Sequence, residues 1–306
     1  MDWLYILMAL IFILTQMAGF LIAKSIFKPI RRSLLETRLM ENEKNPGLME
    51  EYDTWAKSEY KIHSRFGYDL QAYYIKPIEL TNRFVILAHG YTYTHHGCVK
   101  YAKMMRDLGF NVVLYDERYH GESGGKNCTL GFYEKDDLYD VISDTFERYG
   151  ENLFLGTYGE SMGAATVLLE QAFDKRIKFV VSDCAFSDLE DLIKYLIKRK
   201  VKYANRLLLC VSNFYFKLFT KATFKKVCPK SSLSQASVPI LFVHGKEDEF
   251  IPPVHSQILY EICPSPKAIY IGENRAKHAE TASKNPKEYQ KILENFLFEY
   301  VLNSKD

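Results

Sequence analysis

Residues 152–173 run NLFLGTYGESMGAATVLLEQAF, and this stretch decides the fold. Its first seven residues form a short apolar run of strand length, and from Met162 onward Ala and Leu dominate, as in a helix. Between them stands Gly159-Glu160-Ser161-Met162-Gly163, a G-x-S-x-G pentapeptide. A serine on a sharp strand-to-helix turn is held in a strained conformation that pushes its hydroxyl out of the sheet, and small neighbours let strand and helix approach. The pentapeptide alone recurs by chance. Its place at a strand–helix join makes Ser161 the candidate nucleophile.

The same alternation continues on both sides. Residues 59–66 and 68–76 predict two antiparallel strands around Gly67. Apolar runs at 84–88, 111–115, 177–182, 238–243 and 267–271 predict further strands, with helices at 99–108, 134–149 and 286–302. Short apolar strands alternating with helices indicate the α/β class: a mostly parallel, eight-stranded sheet with helices on both faces. Residues 186–236 are too long for a simple connection and predict an inserted helical cap.

Hydrophobic content of 47% and charged content of 25% describe a globular chain with a net charge of +2. The six cysteines contain no C-x-x-C pair, which argues against a zinc site, and they form no disulfide framework for a chain of this size. Free thiols suit a reducing compartment. Residues 3–23 hold no charged side chain and would span about 32 Å as a helix, matching a bilayer core of about 30 Å. Asp2 precedes this run and no clean cleavage site follows it, so a transmembrane helix is expected rather than a signal peptide. Lys24, Lys28, Arg31, Arg32 and Arg38 follow the span and place the body of the protein in the cytoplasm. Residues 24–57, polar with an Asn45-Pro46-Gly47 turn, are expected to be a juxtamembrane helix and linker, and 58–303 the main domain.

A serine hydroxyl needs a base to take its proton and an acid to orient that base. On a sheet of this type the acid and then the histidine follow the serine along the chain. Asp248, in His244-Gly245-Lys246-Glu247-Asp248 after a buried strand, is the expected acid, with Glu247 and Asp183 as weaker competitors. His278, after the last strand, is the expected base; of the other histidines only His255 also follows the acid. Two preorganised donors are needed for a developing oxyanion. The backbone N–H groups of Met162, directly after the serine, and of Tyr91, after Ala88-His89-Gly90, are the candidates.

With these residues assembled, the chain resembles the α/β-hydrolases, and more closely their YqkD-like and BEM46-like branch, grouped with the serine aminopeptidase S33 domain. The matching stretches are LAHGYT (87–92), YDERYHGESGG (115–125), GTYGESMGAAT (156–166), SDCAFSD (182–188) and VPILFVHGKEDEFIP (238–252). They span about residues 58–303. Asp116-x-Arg118-x-His120-Gly121 resembles the family's D-x-R-G-H-G loop with Tyr119 in place of a glycine. The resemblance implies hydrolysis through an acyl-serine intermediate, with no cofactor and no metal. It extends to esterases, lipases, thioesterases and peptidases alike, so fold does not give the substrate.

The cap bears on substrate. Residues 195–246 contain no Asp or Glu and eleven basic residues, with Tyr203, Phe214, Tyr215, Phe216 and Phe219 interleaved. Basic charge with aromatics suits an anionic membrane surface, and a solvated basic face over a packed cap has the same composition. Nucleic acid is not expected, for want of a recognition motif, and no obligate protein partner is evident. The expectation is a membrane-anchored serine hydrolase acting near the inner leaflet on acyl or lipid-like esters. An aminopeptidase or thioester hydrolase is the alternative within hydrolases, and a membrane-tethered binding protein on the same fold is the non-enzymatic one.

Overall fold

The computed structural model describes residues 2–201 and 205–302. Lys202 and Tyr203, counted above in the cap, and the last residue of the 58–303 domain lie outside the described residues. Eight strands form one sheet: β1 (Lys57–Ser64), β2 (Tyr68–Ile75), β3 (Arg83–Ala88), β4 (Asn111–Tyr115), β5 (Phe154–Glu160), β6 (Ile177–Asp183), β7 (Ile240–Gly245) and β8 (Lys267–Gly272). Their order is β1-β2-β4-β3-β5-β6-β7-β8. β1 and β2 pair antiparallel, β2 meets β4 antiparallel, and every later pairing is parallel. This is the mostly parallel, eight-stranded sheet expected from the sequence.

The helices are α1 (Asp2–Phe27), α2 (Leu34–Lys44), α3 (Leu48–Asp53), α4 (Val99–Asp107), α5 (Glu134–Tyr149), α6 (Met162–Glu170), α7 (Leu189–Lys200), α8 (Asn205–Thr220), α9 (Pro229–Ser232), α10 (Val254–Ile262), α11 (Thr281–Lys284) and α12 (Pro286–Phe296). The sheet separates two cores. On one face α3, α4 and α12 bury Tyr52, Tyr101, Tyr289 and Phe296 against Val85, Leu87 and Val112. On the other, α5, α6 and α10 bury Leu138, Ile142, Val167 and Leu259 against Ile86, Val113 and Phe242. Strands sandwiched this way are apolar on both sides, which is why β3 and β4 are near-continuous hydrophobic runs.

A third apolar cluster lies beyond the strand ends, where the cap helices α7 and α8 meet α1. Asp188 caps α7 by accepting from the amides of Glu190 and Asp191, and Lys198, Arg199 and Lys200 complement the dipole at its far end. Trp3–Phe27 is long and apolar enough to cross a membrane. Its first half is exposed, with Leu4, Leu7, Ile11 and Leu14 free of the domain, whereas its second half packs on α8. Gly19 permits this approach, because a Cβ there would lie 2.4 Å from Val211 Cγ1. Phe20 meets Tyr215 edge-on at 5.4 Å, and Phe27 stacks on Phe219 at 5.1 Å.

The segment expected as a juxtamembrane helix and linker carries α2 and α3 and is docked on the domain. Ser33 and Glu36 close a reciprocal capping box at the start of α2, and Leu48, Met49, Tyr52 and Trp55 join the sheet core. Arg31 donates to the carbonyls of Gly121 (2.8 Å) and Ser123 (2.6 Å), and Arg32 to Thr92 Oγ1 (2.9 Å). The charged side chains of this polar stretch satisfy carbonyls of neighbouring loops.

Candidate active site

β5 delivers Ser161 to the sheet rim and α6 leaves from it. Ser161 has φ 57° and ψ −111°, a strained combination for a residue with a Cβ. The turn holds because the backbone is crowded: a Cβ on Gly159 would lie 2.2 Å from the Gly163 carbonyl carbon, and one on Gly163 would lie 2.0 Å from the Ala88 oxygen. The Ser161 amide donates to the Asp183 carbonyl at 2.8 Å, tying the turn to β6.

The structure brings Ser161, His278 and Asp248 together. Ser161 Oγ lies 2.8 Å from His278 Nε2, and His278 Nδ1 lies 2.7 Å from Asp248 Oδ2. Asp248 Oδ1 accepts from the amides of Phe250 (2.9 Å) and Ile251 (2.8 Å). Burial pushes the Asp248 carboxyl upward, but the hydrogen bonds from His244 and His278 outweigh it and hold the group well below the usual carboxylate range. A fixed carboxylate, an imidazole and a hydroxyl in this order can move a proton off the serine oxygen.

The competitors are elsewhere. The Asp183 side chain receives the Tyr289 hydroxyl at 2.9 Å, and burial, with Glu160 nearby, raises its pKa to about 6. Glu247 is exposed. His255 Nδ1 lies 2.9 Å from Ser187 Oγ, at the root of the cap.

Tyr91 and Met162 line one cavity together with Ser161. Neither of their amides donates to another protein group among the described residues. The loop carrying Tyr91 is set by two neutral histidines. His89 Nε2 accepts from the Glu117 amide at 2.9 Å, and burial, with His120 nearby, lowers its pKa to about 3. His120 Nε2 accepts from the Thr92 amide at 3.2 Å, and burial lowers its pKa too. Tyr119, where the resemblance expected a glycine, adopts the left-handed φ of 63°, so the loop keeps a turn glycine would take freely. Lys28 Nζ stands 4.4 Å over its ring.

Sequence reasoning missed a buried charge network under the elbow. Lys100 Nζ lies 2.7 Å from Glu160, the residue before Ser161, and 3.6 Å from Glu41 on α2. Burial alone would push this ammonium down; Glu160 and Glu41 more than reverse that. The Tyr101 hydroxyl lies 2.7 Å from Glu160 and 2.9 Å from Asp183. The partners come from four distant parts of the chain, and no local spacing signals them.

The cavity beside Ser161 holds about 570 Å³, inside the ~300–1,000 Å³ of ligand sites. Its walls are apolar: Met162, Phe186, Ile193 and Ile197 on one side, Leu21 and Ile22 of α1 on the other. Cys184 Sγ, Asp248 and His278 place ligand-type atoms within 4.8 Å of one another. Burial raises the Cys184 thiol well above its usual range, and Asp248 is already hydrogen-bonded to His278, so the set is poorly suited to a metal ion.

The family described as Serine aminopeptidase, S33, matches residues 81–207. The chain is 34% identical to the uncharacterized protein YqkD of Bacillus subtilis over 259 residues, 84% of each chain. It is 26% identical to an uncharacterized membrane protein of Saccharomyces cerevisiae over 196 residues, 63% of each. In fold it is similar to the esterase Pf2001 of Pyrococcus furiosus, with a TM-score of 0.66 and 22% identity, over 82% of this chain and 95% of that one.

Proposed function

From the premise that the chain belongs to the α/β-hydrolase family, in the branch of YqkD, we propose that it is a membrane-anchored serine hydrolase that cleaves carboxylic esters of apolar acyl groups. In this reading His278 takes the Ser161 proton as Oγ attacks the acyl carbonyl. Asp248 holds the imidazole and stabilises its charge, and the Tyr91 and Met162 amides receive the oxyanion. His278 then returns the proton to the leaving group, and water releases the acid from the acyl-serine by the same steps. α1 anchors the protein, and the basic residues after it keep the hydrolase on the cytoplasmic side. The yeast relative is a membrane protein by its description, which supports the anchor.

The observation that carries the reading is the unbroken Ser161–His278–Asp248 chain opening onto an apolar cavity. The same geometry serves an oxygen ester or a thioester. It does not favour the aminopeptidase alternative: a free amino terminus needs an anionic partner, and no residue that lines the cavity is acidic among the described residues, while Lys200 at its edge is cationic. A fluorophosphonate probe tests the proposal. The full-length wild type should label, and Ser161→Ala should not, with ester turnover falling by about 10⁴-fold or more. A folded wild type that resists the probe overturns it.

A further inference from the structure

The cavity at Ser161 has an unusual wall. Ala18, Leu21, Ile22, Ser25 and Ile26, all from the C-terminal half of α1, line it together with α7. These positions lie inside the stretch Trp3–Phe27 that is apolar enough to span a bilayer. At about 1.5 Å per residue they cover some 12 Å of its length, so the cavity runs beside the C-terminal part of the apolar stretch. The Tyr91 hydroxyl donates to the Ser25 carbonyl, which joins this wall to the loop that carries the oxyanion amide.

The cavity reaches the surface along the same edge. Leu21 is 53% exposed and Val201 37% exposed, yet both line it. Next to α1, α8 shows Leu207, Phe214 and Leu218 to the outside, at a spacing that puts them on one helix face. An exposed apolar stripe beside a membrane-spanning helix fits contact with lipid. A water-borne polar substrate gains nothing from a mouth of this composition; an acyl chain already in the bilayer meets an apolar wall, with Lys200 the one cation lining it among the described residues.

We propose that α1 is a substrate-binding element as well as an anchor: Ala18, Ile22 and Ile26 form one wall of an acyl-chain site, and a long-chain acyl ester or thioester reaches Ser161 sideways from the bilayer, between α1 and α7. This rests on the hydrolase reading of Ser161. It gives the substrate class, a single long acyl chain with its carbonyl at Ser161, and assigns the discrimination of chain length to the anchor.

The test uses the full chain in phosphatidylglycerol–phosphatidylcholine vesicles and the ratio of kcat/KM for p-nitrophenyl laurate to that for the butyrate. Each buried methylene is worth about fourfold, so a side chain that excludes two or more should lower the ratio at least about tenfold. Ala18→Trp and Ile22→Trp should do so, while Ile11→Trp, on the free half of α1, should leave it unchanged. An unchanged ratio in probe-labelled Ala18→Trp and Ile22→Trp overturns the proposal, as does an equal fall in Ile11→Trp. A measurement without any substitution stands beside it: a dodecyl fluorophosphonate with a terminal diazirine should crosslink from Ser161 to residues 18–26, and crosslinks confined to other segments overturn the wall. A wild type that neither labels nor hydrolyses butyrate fails at Ser161 instead, and takes the hydrolase reading down with the proposal.

Discussion

The elbow around Ser161 and the α1–α8 pair face the same cavity but are built in opposite ways. At the elbow the reacting groups are held by directional bonds: the Ser161 amide by Asp183, Glu160 by Lys100 and Tyr101, His278 by Asp248. The backbone there is so crowded that a single added methyl would collide with the chain. Across the cavity the helix pair offers apolar contacts, aromatic contacts and, among the described residues, one hydrogen bond, between Tyr215 and Gln16 at 3.1 Å. Directional interactions fix atoms to fractions of an ångström, as proton transfer requires. Non-directional apolar packing sets the size and polarity of a space, as recognition of a hydrocarbon chain requires. One side of the cavity is suited to chemistry and the other to selection.

Substitutions can break that contrast. Beyond the loss expected for Ser161→Ala, Gly163→Ala places a Cβ 2.0 Å from the Ala88 oxygen, a backbone atom that cannot swing away. α6 must shift, carrying the Met162 amide with it, and turnover of even a butyrate ester should fall about 10²-fold or more. Kinetics alongside a circular-dichroism melt would check it; turnover within a few-fold of wild type would show the elbow to be pliable. Lys100→Met leaves Glu160 and Glu41 buried without their cation and should cost about 3–5 kcal/mol, read from denaturant unfolding of the full chain in detergent. It also probes the docking of α2, which supplies Glu41.

A smaller effect marks the root of the cap. Burial, with His244 nearby, lowers the pKa of His255 to about 4. It is neutral in the folded protein at pH 5, whereas in the unfolded chain it gains a proton below about pH 6.5. Its contribution is therefore complete above pH 6.5 and is lost as pH falls toward 4. The stability of wild type relative to His255→Asn should shrink by about 3 kcal/mol between pH 7.5 and pH 4. Parallel unfolding curves at both pH values measure this, and a constant difference would mean that the imidazole titrates freely in the folded state.

Much of this molecule was legible in its residues. Eight strands at the expected places, the elbow, and the positions of Asp248 and His278 after their strands all follow from local pattern. Each depends on a strand, a turn and a helix adjacent in sequence, and burial on both faces makes such strands plain apolar runs. The docking of residues 24–57 was not legible, because a charged stretch that hydrogen-bonds to loop carbonyls has the same composition as one exposed to water. Nor was the Lys100 network, whose members Glu41, Lys100, Glu160 and Asp183 share no spacing.

The sequence by itself determined the fold class, the order of the candidate site residues and a helix long enough to cross a bilayer. Only the tertiary structure decided that this helix turns its second half to the cap and closes the cavity at Ser161. A helix that is apolar all round carries no preferred face in its sequence. Which side meets lipid and which meets protein is set by its partner, and Val211, which packs on Gly19, lies almost two hundred residues further along the chain.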